Sequence, residues 1–163
     1  MATFWAVAET AELIRKALKE AFPGQKFLVR SKKYADGASI DVVWTDGPTQ
    51  PDVENVAKTF TGATFDATTG NKGVRIHKFQ GEQVHFGADF IFCRRELSET
   101  YKAICSQAFD QLSYDERCEL FNRQHYVNHS RGSNRPADIV AKNVGTAPRS
   151  SPTAASVEVF RSY

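Results

Sequence analysis

Three sets of side chains in this sequence could do chemistry. The first is basic and aromatic. Arg30, Lys32, Lys33 and Tyr34 stand in one short stretch, Arg75, His77 and Lys78 in a second, Arg94 and Arg95 in a third. Each stretch has strand character. If the strands neighbour one another, their outward side chains could track phosphates while an aromatic ring stacks on a base. Asp36, Asp41 and Asp89 are interspersed, so the competing reading is a set of solvating charges on the open face of a half-buried sheet.

The second set is carboxylic. Asp41, Asp46, Asp66 and Asp89 could converge from strand ends and loops, as metal-dependent hydrolases and nucleases require. No Glu-x-Lys partner follows on a neighbouring strand, and Asp46-Gly47-Pro48 is accounted for by a turn. The third set is His125 and His129, four apart on one face of a helix, with Cys118 seven residues upstream. Tyr126 stands where the HExxH zinc pattern has its Glu, and Asn128 and Ser130 read as a helix ending. Cys93 precedes Arg94 and Arg95, whose charges could depress a thiol pKa, but no His is placed beside it. Thr68 to Gly73 has too few glycines for a phosphate loop and no helix after it. No catalytic residue, metal ligand or cofactor site emerges, and a non-enzymatic protein is the expectation.

The elements that must position these residues follow from periodicity. Leu13, Ile14, Ala17, Leu18, Ala21 and Phe22 recur at helical spacing, with Thr10 as cap and Pro23-Gly24 as stop. Lys26 to Ser31 and Ser39 to Thr45 alternate as strands, joined across Tyr34-Ala35-Asp36-Gly37 as a hairpin. Thr49-Gln50-Pro51-Asp52 opens a second helix with a buried stripe at Val53, Val56, Ala57 and Phe60. After a Thr- and Gly-rich loop, Val74 and Ile76 face Val84 and Phe86 across Gln80-Gly81, and Phe90 to Phe92 extend that strand. Trp44, Phe65 and Phe90 are assigned to core or sheet packing. Ser98 starts a third helix and Ser113-Tyr114-Asp115-Glu116 a fourth. The order α-β-β-α-β-β-α-α gives an α+β fold: an antiparallel sheet of about four strands with helices packed on one face.

The 163 residues suit one domain, and with 41% hydrophobic residues and twelve Phe there is material for a core. Residues 1–129 form that domain. Residues 130–163, rich in Ser, Pro, Asn and Thr, read as a weakly structured basic tail, with a short strand at Val157 to Phe160. Up to residue 129 there are 16 Lys and Arg against 17 Asp and Glu; beyond it there are five against two. Nucleic-acid binding by global basicity is thereby excluded, leaving a local patch or the tail. Arg131, Arg135, Lys142, Arg149 and Arg161 make the tail either an anion-binding segment or a linker. Three widely spaced cysteines without CxxC argue for reduced thiols. No apolar run is long enough for a membrane span or a signal peptide, so the expected location is the cytosol of the host cell.

The run Glu12 to Arg30 (ELIRKALKEAFPGQKFLVR), the run Ser39 to Thr49 (SIDVVWTDGPT) and the block Phe86 to Ser98 (FGADFIFCRRELS) together resemble the family called large polyvalent protein associated domain 29. The resemblance covers roughly residues 10 to 98. It implies a component of proteins carried by phages and conjugative elements, which travel with or act beside incoming DNA and counter host defence. The family brings no catalytic residues to carry over.

These readings combine into one expectation: a binding module acting in host takeover, counter-defence or protection of element DNA. Nucleic acid or a host protein is its partner. Contacts are expected from Arg30, Lys32, Lys33, Tyr34, Arg75, Lys78, Arg94 and Arg95. The competing classes are a protein-directed inhibitor of a host defence factor and a small metal-dependent nuclease built on Asp41 and Asp89.

Overall fold

The computed structural model describes residues 1–127 and 136–162, with side chains for 1–120 and 138–160. A first short strand, β1 (Thr3–Trp5), leads into α1 (Val7–Ala21), which begins three residues before Thr10. The Glu9 carboxylate accepts from the Ala6 N–H at 2.7 Å and supplies the N-terminal cap expected of Thr10. Thr10 itself is fully buried and donates its hydroxyl to the Ala6 carbonyl. Ala11, Ile14, Ala17, Leu18 and Ala21 are the buried stripe, and Gly24, at φ +88°, follows the helix end.

Strands β2 (Leu28–Tyr34) and β3 (Gly37–Thr45) form the expected hairpin, with Tyr34 opposite Gly37. The next helix, α2 (Gln50–Ala57), is capped by Thr49 Oγ1, with Pro51 in its first turn. It ends in a single 3-10 turn, Lys58–Phe60. Then come β4 (Ala63–Phe65), β5 (Lys72–Phe79), β6 (Glu82–Phe86) and β7 (Phe90–Glu96). Gln80 and Gly81 both take positive φ in the two-residue β5–β6 turn, the geometry that right-twisted hairpins favour. The helices α3 (Glu99–Asp110) and α4 (Tyr114–Val127) start at Ser98 and at a reciprocal Ser113–Glu116 capping box, as expected.

The fold is α+β, with α1 and α2 packed on one face of a sheet. Its strands divide between two sheets. One is β2-β3-β7; the other runs β1-β6-β5-β4, with β8 (Val157–Ser162) also paired to β5. The expected continuation of the second hairpin through Phe90 does not occur. The Gly87 N–H donates to the Trp5 carbonyl at 2.7 Å, where a side chain at 87 would collide with that oxygen, and the chain turns away. Strand β7 then pairs parallel with β3 from Ser39↔Phe90 to Thr45↔Glu96. Parallel neighbours need a crossover, and α2 lies in it, packed against β7 and α1. One core joins the α1 stripe to Val29, Ile40, Val42 and Trp44 of the first sheet and to Phe79, Val84 and Phe86 of the second.

Composition predicts little regular structure after Ser130 beyond one strand. That strand is present as β8. Residues 136 onward also hold α5 (Pro136–Asn143) and α6 (Pro152–Ala155). An average over a polar segment hides Ile139, Val140 and Ala141, which bury fully or nearly so; the last two join Cys105 and Phe109 in a second core cluster. The Glu20 carboxylate on α1 accepts from Ser151 Oγ at 2.8 Å, Thr153 N at 3.0 Å and Thr153 Oγ1 at 2.9 Å. Partial burial opposes the ionisation of Glu20, yet these donors outweigh it and its pKa is lowered.

Arg95 locks this segment to the sheet. Its guanidinium donates to the carbonyls of Asp46, Gly47, Ala141 and Val144 and to Tyr101 Oη, and it lies 5.2 Å from the Tyr101 ring centre. The planar fork holds five N–H donors in a fixed array and here serves five acceptors, whereas an ammonium has three donors at one point. Arg95→Ala should lower unfolding free energy by about 2 kcal/mol, because it removes several part-buried hydrogen bonds at once, the one to the buried Ala141 carbonyl among them. Arg95→Lys should recover little of this; urea titration reads both.

His77 is fully buried against Phe86, ring centres 4.9 Å apart, with neither ring nitrogen hydrogen-bonded. Desolvation, then the charges of Arg75 and His85, push its pKa down to about 4. The unfolded chain therefore binds this proton near pH 6.5 and the folded chain does not. Stability should fall by up to about 3 kcal/mol between pH 6.5 and 4, comparable to the contribution of one buried aliphatic side chain. His77→Leu should flatten that part of the profile, measured as urea midpoints against pH.

Candidate functional site

In β2, alternation sends Val29 to the helices and Leu28, Arg30, Lys32 and Tyr34 to the other side. In β7 it sends Ile91 and Cys93 inward and Phe90, Phe92 and Arg94 outward. The register then sets rows across the uncovered face: Lys32, Ser39 and Phe90; Arg30, Asp41 and Phe92; Leu28, Val43 and Arg94. A concavity of 410 Å³ lies over these rows, between Leu28, Arg30, Lys32, Phe92 and Arg94.

The electrostatics there are modest. Lys32 pairs with Asp41 at 2.6 Å, and Arg94 with Glu96 at 3.5 Å. Arg30 has no ion-pair partner among the described residues. Exposed ion pairs of this kind are worth little and exchange readily for a phosphate.

Aromatic side chains complete the face. Phe65, at the end of β4, stacks on Phe90 with ring centres 4.8 Å apart and planes 17° off parallel. Phe90 stacks in turn on Phe92 at 5.8 Å and 10°. All three are exposed. Strand patterning assigns Trp44, Phe65 and Phe90 to core or sheet packing: Trp44 is buried and donates Nε1–H to the Pro48 carbonyl, and the two phenylalanines pack on the solvent side of the sheet as a ladder. Strict alternation along Phe90-Ile91-Phe92-Cys93 was the available signal, since it places both rings opposite Ile91.

Four of the predicted contact residues thus share one surface: Arg30, Lys32, Arg94 and, at its end, Tyr34. Lys33 alternates to the opposite side of β2. Arg95 faces inward and is taken up by backbone carbonyls. Arg75 and Lys78 lie on β5 in the other sheet, separated from the rest because β7 left that sheet; Arg75 Nε is buried without a partner.

The carboxylates do not converge. Asp46 accepts from Ser98 N and Oγ, Asp66 from the Thr68 and Thr69 amides, and Asp89 from the Ala38 N–H and Lys72 Nζ. Hydrogen bonds from the Thr69 and Thr68 amides hold the Asp66 pKa low. Among the described residues, no three His, Cys, Asp or Glu gather as a metal site. His129 lies outside the described residues, and so does the His125 side chain. Burial, and then the Glu54 charge, push the Cys93 thiol up to about 12, so the neighbouring arginines do not activate it. Cys93, Cys105 and Cys118 are all free thiols. No described helix is long and apolar enough to cross a membrane.

No curated protein and no solved structure matches this chain. The sequence profile of one family does, over residues 5–98, from β1 through the Ser98 cap of α3. That span holds both hairpins, the β3–β7 pairing and every residue of the open face. The chain belongs to the large polyvalent protein associated domain 29 family.

Proposed function

We propose that the chain is a non-enzymatic binding module of a phage or conjugative element. It takes nucleic acid on the open face of β2-β3-β7 and serves protection of the element's DNA or takeover of the host, including counter-defence. One observation carries this reading: Arg30, Lys32 and Arg94 share an uncovered sheet face with an exposed aromatic ladder. Cations that reach phosphates beside rings that reach bases are the two halves of a sequence-tolerant nucleic-acid surface. The nuclease alternative finds no support, because Asp46 caps a helix, Asp66 closes a turn, Asp89 ties to the β3 backbone and Lys72, and Asp41 pairs with Lys32.

Fluorescence anisotropy with labelled DNA at about 50 and 200 mM salt tests the proposal. One to three phosphate contacts on a single strand predict an affinity loss of about 3- to 20-fold across that range. The triple variant Arg30→Ala, Lys32→Ala, Arg94→Ala should bind at least about tenfold more weakly, with an unchanged melting midpoint, since all three side chains are exposed. Absence of binding at both salts would overturn the nucleic-acid reading and favour a protein-directed inhibitor.

A further inference from the structure

We infer, resting on that reading, that the ligand is single-stranded and that one of its bases extends the aromatic ladder by stacking on Phe92. Isolated exposed apolar residues are ordinary on a protein surface. These three are not isolated. Phe65, Phe90 and Phe92 are 46%, 37% and 55% exposed, and they lie parallel to within 17° and 10° at successive contacts. A ladder of rings is complete in its interior and open at its end. Its two ends here are Phe65 and Phe92; Phe92 is the more exposed of the two and the one that borders the concavity.

The concavity of 410 Å³ is within the range of small-ligand sites and has room for one base with its sugar. Leu28 and Val43 join Phe92 as the apolar part of its lining, and Asp41 and Glu96 line it beside the cations they pair with. Arg30 and Arg94 stand in the Phe92 row and in the next row beyond it, where the phosphates flanking a stacked base would pass. A flat apolar ring end with apolar neighbours, and cations held only by exchangeable ion pairs, match a nucleotide whose base face is free.

Charge decides between strand and duplex. A duplex hides its base faces and offers phosphates alone, so its affinity would rest on cations. Three cations, two of them in pairs that exchange with a phosphate at little cost, offer a duplex only a few contacts and leave the exposed ring unused. Stacking needs no such exchange and tolerates every base. The face is therefore built for a single strand held mainly through a ring.

The experiment compares labelled oligothymidylate of about 12 nucleotides with a blunt duplex of the same length, at about 200 mM salt. The single strand should bind at least about tenfold tighter. Phe92→Leu keeps apolar bulk and removes the ring; it should weaken single-strand binding by about 10- to 100-fold and leave the melting midpoint unmoved. Phe92→Trp should restore binding. Equal affinity for strand and duplex, or indifference to Phe92→Leu while the triple cation variant still loses binding, would overturn the stacking inference and leave nucleic-acid binding standing. Failure of every probe to bind would overturn both.

Discussion

The parallel pairing of β7 along β3 is the constraint on which the rest of the molecule depends. It puts the outward residues of β7, Phe90, Phe92 and Arg94, in register with Arg30 and Lys32 two strands away. It also carries Arg95 to the inner side at the strand end, where the guanidinium meets the β3–α2 loop on one side and the α5 carbonyls on the other. Moving the pairing by one residue would exchange Phe92 for Cys93 on the open face and send Arg95 to solvent. One register thus fixes both the working surface and the lock that holds the C-terminal segment.

The two sides of this sheet use cations differently. On the inner side Arg95 is fully engaged, and its role is architectural. On the outer side the same residue type stays exposed and loosely paired. The distinction lies in the acceptors: backbone carbonyls at a helix end and a tight loop cannot leave, whereas Asp41 and Glu96 are partly solvated carboxylates that give up a cation at little cost. Adjacent arginines, Arg94 and Arg95, therefore have opposite fates by alternation alone.

Much of this was legible in the sequence, and the failures share a cause. Local signals carried: the α1 stripe, the Gln80-Gly81 turn, the Thr49 and Ser113 caps and the family motifs each depend on residues within a few positions of one another. Long-range choices did not carry. Nothing local tells Phe90 to abandon the neighbouring hairpin for a strand some fifty positions earlier, so Arg75 and Lys78 were grouped with a face they do not join. Phe65 and Phe90 do pack on a sheet, but the rule that strand aromatics pack does not say on which side. Average composition misjudges the segment after Ser130, because three consecutive apolar residues, two hydroxyls facing Glu20, the Arg95 bonds and the β8 pairing together dock it.

The same pairing has a consequence for how the molecule comes together. Between β3 and β7 the chain builds α2, the β4 strand and the whole β5–β6 hairpin, so three of the five strands of the other sheet lie within this one connection. A hairpin such as β2–β3 closes quickly, but a partner about fifty residues away waits on the entropy of a long loop. The open face is therefore finished late. A substitution in β5 or β6, far from Phe92 and touching nothing on that surface, can still delay its appearance by leaving a longer unstructured loop for the β3–β7 pairing to close.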